Sequence, residues 1–286
     1  MSPVAAPSRL SPAERARRAA RGGASRSVPG PLLVPALIAA AFLVLPLVGL
    51  LLRAPWGHLG AALSGADATQ ALILSLWTAS TATAISLVIG VPLAWVLARS
   101  RFPGQRLLRA LVTLPLVLPP VVGGVALLLA FGRTGFVGRL LDSWFGLTIP
   151  FTPIAVVMAQ TFVAMPFLVI AVEGALRSAD QGFEEAAATL GATRMTVFRR
   201  VTMPMIAPSL GAGAVLCWAR ALGEFGATIT FAGSFPGQTE TMPIAVYYAL
   251  ENDPDAAIAL SLVLLLVSIV VLVSLRDHWL RRGTVA

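Results

Sequence analysis

Six apolar stretches of this chain are long enough, or nearly so, to cross a bilayer as helices: Leu32–Leu52, Ala71–Leu97, Leu107–Phe131, Ile154–Val172, Met205–Phe231 and Ala256–Leu275. A helix needs roughly 20 apolar residues to cross the hydrocarbon core. The charge for a water-soluble surface is missing, since 12% of the 286 residues are charged where soluble domains carry about 25%. The expected fold is all-α, a polytopic membrane protein with six transmembrane helices.

The net charge of +8 comes from 21 Arg and no Lys. Such basicity also suits nucleic acid, but most of the Arg cluster beside apolar runs, as the positive-inside rule requires, so membrane lipid and not nucleic acid is the expected surrounding. Arg9, Arg15, Arg17, Arg18, Arg21 and Arg26 precede the first span; Arg99, Arg101, Arg106 and Arg109 follow the second; Arg177, Arg194, Arg199 and Arg200 follow the fourth; Arg276, Arg281 and Arg282 follow the sixth. The alternate loops at 54–70 and 232–255 hold acidic residues and no Arg, and 132–153 is mixed, with Arg133 and Arg139 against Asp142. Both termini are therefore expected to be cytoplasmic. Residues 1–30, rich in Ser, Pro, Ala, Gly and Arg, read as a disordered tail, and 31–286 as the transmembrane domain. The first apolar run of 21 residues exceeds the core of a signal peptide and reads as a retained helix.

Cys217 stands alone and His58 and His278 are isolated, which leaves no intrachain disulfide, metal cluster or Ser-His-Asp triad to expect. A membrane-embedded enzyme would need clustered His, Asp or Glu. A stand-alone channel or proton-coupled carrier would need ionisable relays in several spans, whereas the clear mid-span charges are Arg220 and Glu224.

The loop at about 177–205 carries the strongest local signal. Asp180 can cap a short helix whose first turn holds Glu184 and Glu185. Gly191 suits a left-handed C-terminal cap, and Thr193 can cap a second short helix in which Met195, Phe198 and Val201 can share a face. Pro204 and Pro208 would mark the start of the fifth span. On these features alone the loop reads either as an amphipathic connector at the interface or as a face of small residues, Ala186, Ala187 and Ala188, that another protein can approach. Glu185-Ala186-Ala187, Gly191 and then Val201-Thr-Met-Pro204 resemble the EAA loop of ABC-importer permeases, with Met203 where Leu is usual. In that family the loop is the coupling helix that docks on the ATPase. The resemblance implies that role for Glu185, Ala186, Ala187, Gly191 and Pro204.

Pro115-Leu-Val-Leu-Pro-Pro-Val-Val-Gly-Gly124 and Ala219-Arg-Ala-Leu-Gly-Glu-Phe-Gly-Ala-Thr228 resemble the oxyanion branch of those permeases, which handles molybdate, tungstate and sulfate. The continuation through Pro236-Gly-Gln-Thr-Glu-Thr-Met-Pro243 is most similar to molybdate permeases, with sulfate or tungstate as the alternative cargo. Arg220 and Glu224, four apart, can share a helical face. They read either as a structural pair or as part of an anion path to which Thr228 and Thr230 would add hydroxyl donors. Pro115, Pro119 and Pro120 should kink or break the third span, with Gly123 and Gly124 allowing close approach, either as a static kink or as a gate. A chain without Lys has no phosphate-binding Gly-x-x-x-x-Gly-Lys motif, so no cofactor is expected on it and it is not expected to be an enzyme. The resemblance implies a place in a bacterial-type cytoplasmic membrane, ATP and Mg on partner ATPase subunits, a second copy of this chain and an extracytoplasmic molybdate-binding protein.

Overall fold

The structure, a computed structural model, describes residues 30–57, 60 and 65–280. The tail expected to be disordered lies, up to residue 29, outside the described residues. The chain divides into two compact units, 1–52 and 53–286. In the first, α1 (Gly30–Leu52) is apolar throughout and carries Pro35 and Pro46 inside the helix.

The second unit is helical wherever its backbone is regular among the described residues. Its long helices are α2 (Ala66–Arg99), α6 (Pro153–Ser178), α9 (Met203–Leu222) and α12 (Pro254–Leu280), with shorter α3 (Gln105–Val117), α4 (Pro120–Phe131), α5 (Phe136–Phe145), α7 (Gly182–Thr189), α8 (Arg194–Val197), α10 (Gly226–Ala232) and α11 (Met242–Asn252). Among the described residues of the two units, α1 included, five helical stretches are long and apolar enough to span a bilayer, and the count reaches six if α3 and α4 form one bent span.

α6 is the axis of this unit. Leu168, Val169, Val172 and Leu176 are buried against Ala79, Ala82, Ala94 and Leu97 of α2 and against Ile206, Cys217 and Ala221 of α9. Glycines set these distances: a Cβ on Gly213 would lie 2.9 Å from Ala171 Cβ, the close approach that small residues give membrane helices. Hydroxyls on α2 are satisfied locally, as Thr83 and Ser86 donate to the Ala79 and Ala82 carbonyls at 2.8 and 2.7 Å. A second cluster joins α4, α6 and α10 through Leu127, Val156, Ala159, Ala227 and Phe231. α2 in its spanning stretch is 33 residues long, about 50 Å at 1.5 Å per residue. That exceeds the roughly 30 Å hydrocarbon core, so one or both ends stand clear of it.

Two spans differ from the sequence reading. The third, expected over Leu107–Phe131, is two helices at 119°. Leu118 and Pro119 each precede a proline and are held extended, with ψ of 134° and 131°, because a following proline disfavours the helical region. Pro115 lies inside α3 and does not break it. The fifth, expected over Met205–Phe231, ends at Leu222; Gly223, Glu224 and Phe225 interrupt it before α10. The loop's second helix is not separate either. It continues through a π-turn at Phe198–Thr202 directly into α9. Pro204 cannot donate to the Arg200 carbonyl, and the wider turn, in which Met203 N donates to Phe198 O, accommodates the loss. The extra residue also changes the inward face. Val197 and Thr202 are buried while Met195 is 57% exposed.

Candidate functional site

The exposed loop is built as a short helix, a glycine turn and a second helix with a side-chain cap. Asp180 Oδ1 accepts from Gly182 N at 2.9 Å. α7 ends in a Schellman turn: Ala192 N donates to Ala187 O at 3.1 Å and Gly191 N to Ala188 O at 3.0 Å, with Gly191 at φ +83°. That left-handed geometry is open to glycine at little cost. Thr193 Oγ1 accepts from Thr196 N at 3.3 Å. Glu185, Ala186 and Ala188 are exposed, and Ala187 is half-buried. Phe183 and Leu190 add apolar surface at 62% and 88% exposure. Pro204 sits in the first turn of α9.

Glu184, which the sequence reading did not single out, is half-buried, and its Oε1 accepts from Arg99 Nη2 and from Thr202 Oγ1, both at 2.9 Å. A neighbouring cluster ties the ends of α2, α3 and α6 together. Arg109 and Arg177 converge on Glu173 Oε1, at 2.8 and 3.0 Å, and both donate to the Leu97 carbonyl. Arg residues read from sequence as topology markers therefore also close the C-terminal carbonyls of α2, as cations at a helix C-terminus do.

The breaks in the third and fifth spans are packed on each other. A Cβ on Gly226 would lie 3.0 Å from Pro120 Cβ and 3.2 Å from Val121 N, and one on Gly124 would lie 2.8 Å from Ala227 O. Gly123 faces Phe162 of α6. Across the break in the fifth span, Arg220 Nη1 meets Glu224 Oε2 at 2.6 Å, and Glu224 Oε1 accepts from Ala227 N at 2.8 Å. Arg220 thus occupies the C-terminal turn of α9 while Glu224 caps the N-terminus of α10, each complementing a helix dipole. Glu224 is almost wholly buried, and the Arg220 side chain is 28% exposed, with guanidinium donors beyond that one bond. Thr230 Oγ1 donates back to Gly226 O at 2.8 Å. Thr228 is fully buried and its Oγ1 has no hydrogen-bond partner among the described residues. The same holds for both amide atoms of Gln160 on α6, which a lone Gln in an apolar span could have flagged. Proline and glycine of one broken helix and the ion pair of the other so form one junction.

Several helices of spanning length, a bent helix pair that packs on the short helix after the fifth span at a polar junction, and an exposed helix–glycine–helix loop feeding directly into a span define a multi-pass membrane permease. Residues 90–284 match the family described as "Binding-protein-dependent transport system inner membrane component". The chain belongs to that family and is a multi-pass inner-membrane protein. It is 50% identical over 238 residues, 83% of this chain and 90% of the relative, to "Molybdenum transport system permease protein ModB" of Mycobacterium tuberculosis. The protein of that name in Escherichia coli is 43% identical, covering 74% of this chain and 93% of the relative. Among solved structures, a bacterial ABC transporter involved in the import of alginate shares the fold at a TM-score of 0.69 and 22% identity, over 88% of this chain and 94% of that one.

Proposed function

We propose that this chain is the permease subunit of an ATP-driven importer that carries molybdate inward across the cytoplasmic membrane. The observation that carries the reading is half-identity across nine-tenths of a molybdenum permease. Two copies form the conduit, both termini are cytoplasmic, and an extracytoplasmic binding protein delivers the anion. ATP and Mg bind partner ATPase subunits, and this subunit performs no hydrolysis. α7 docks on the ATPase through Glu185, Ala186 and Ala187, its end fixed by Gly191 and its motion passed to α9 past Pro204.

The junction of broken helices is the moving part of the path. Arg220 attracts a doubly charged tetrahedral oxyanion, while its pairing with Glu224 keeps the attraction weak enough for release, as conduction requires. Thr228 and Thr230 stand on the same short helix, and Pro115, Pro119, Pro120, Gly123 and Gly124 supply the gate that bears on it. Selectivity rests chiefly with the binding protein.

The test is uptake of labelled molybdate by cells lacking their own permease and supplied with this chain, its ATPase and its binding protein. Uptake that resists excess sulfate supports the assignment. Uptake suppressed by equimolar sulfate reassigns the cargo to sulfate or a broader oxyanion set.

A further inference from the structure

We propose that Glu184 is the side-chain tether that joins α7 to α2 and to the base of α9, adding to the backbone route past Pro204, while its neighbour Glu185 faces outward to the ATPase. The proposal rests on the coupling role given to α7 above and assigns different tasks to two adjacent carboxylates.

α7 is weakly held by packing, since none of its residues is fully buried. A cleft of about 520 Å³ lies between it, α8 and the end of α2, lined by Pro92, Trp95, Ala188, Ala192, Met195 and Phe198. Its backbone leads to α6 through Ala179–Gln181 and to α8 through the turn at Gly191, connections in which no residue is buried. Glu184 crosses from α7 to α2 and to the π-turn. One oxygen accepts from Arg99, in the last turn of α2, and from Thr202, the fully buried last residue of the π-turn that leads into α9.

The far side of this joint is stiff. The Arg99 guanidinium lies 5.9 Å from the centre of the Trp95 ring, and Trp95 meets Phe198 of the π-turn edge-on at 5.0 Å. The ion-paired side chains are 12% and 18% exposed, so the pair is screened far less than a surface pair. Removing the carboxylate leaves the Arg99 charge without its partner. Glu185 makes no side-chain hydrogen bond or ion pair among the described residues and is exposed. A displacement imposed on α7 therefore reaches α2 and α9 together through Glu184.

The experiment uses the complete transporter in proteoliposomes, with molybdate taken up per ATP hydrolysed and ATPase retained per permease as separate readouts. Glu184→Ala should retain the ATPase at wild-type stoichiometry and lower transport per ATP at least tenfold. Glu185→Ala should lower ATPase retention instead. Glu184→Gln, which keeps an acceptor oxygen, should fall between wild type and Glu184→Ala, and the swap Glu184→Arg with Arg99→Glu should recover part of the loss. Wild-type transport per ATP in Glu184→Ala, or loss of ATPase retention matching Glu185→Ala, overturns the proposal. If Glu184→Ala does not accumulate in the membrane, Thr202→Val removes one of the two donors with little change of shape. Its transport per ATP should fall severalfold, and an unchanged ratio overturns the proposal equally. A wild-type chain that retains no ATPase would instead refute the coupling role itself, and the tether with it.

Discussion

Replacing Gly191 by Ala isolates the geometry of the α7 turn. Gly191 sits at φ +83°, and a Cβ there would meet nothing within 4 Å. Nothing beyond the adjacent backbone opposes the added methyl, so the effect is the local cost of the left-handed conformation. An L-residue other than glycine in the left-handed region is disfavoured by roughly 1–2 kcal/mol, a factor of about 5–30 in the population of the turn. The Schellman bonds from Ala192 and Gly191 to the Ala187 and Ala188 carbonyls are what that population holds closed. Gly191→Ala should lower molybdate transport per ATP severalfold, up to that factor, at equal abundance of inserted protein. Gly191→Asn should lose less, because Asn visits the left-handed region more readily. The assay is coupled uptake and ATP hydrolysis in proteoliposomes. Wild-type coupling in Gly191→Ala would refute the reasoning. A greater loss in Asn than in Ala would also refute it, since the side chain and not the backbone would then be the cause.

Gly124→Ala places a methyl against the Ala227 backbone and the Thr230 hydroxyl; overpacking of this kind costs about 1–3 kcal/mol, so the thermal midpoint should fall and uptake with it, and an unchanged midpoint would contradict the tight junction. Arg220→Ala leaves the buried Glu224 carboxylate without its partner, about 3–5 kcal/mol for a buried pair. Adding Glu224→Gln should restore folding, and uptake that stays low in the double variant marks Arg220 as part of the path, whereas recovered uptake makes the pair structural. Glu240, in the segment before α11, has its carboxyl pushed above its ordinary value by burial, with Asp67 adding to the rise and the Ser234 hydrogen bond opposing it. The folded state then binds this proton more tightly than the unfolded one, so stability declines as pH rises from the ordinary Glu range through the raised native value. Glu240→Gln should flatten that decline in midpoints measured across the window, and an unaltered slope would contradict it.

Much of this architecture was legible because its signals are local. Apolar runs gave the spans, Asp180, Gly191 and Thr193 gave the loop's turns, and two successive prolines gave the break after Leu118. What escaped depends on contacts distant in sequence or on competition between neighbours. Nothing near Glu184 or Glu185 says which turns inward, because the deciding partner, Arg99, lies 85 residues away. The fifth span reads as one apolar run because the side chain that ends it, Glu224, also caps the next helix, and hydropathy does not register a cap. The π-turn arises from Pro204 in a helix that tertiary packing keeps continuous, where a proline rule alone suggests a start. Gln160 stands out as a polar residue in an apolar run, but its burial without a partner among the described residues is visible only in three dimensions.

The most direct test of the central claim is ATP-driven uptake of labelled molybdate into proteoliposomes holding this chain, its ATPase and its binding protein, with each component omitted in turn. The account predicts accumulation only when all three and ATP are present, resistant to excess sulfate. Accumulation without the ATPase or without ATP would contradict an ATP-coupled permease and make the chain a channel or a secondary carrier.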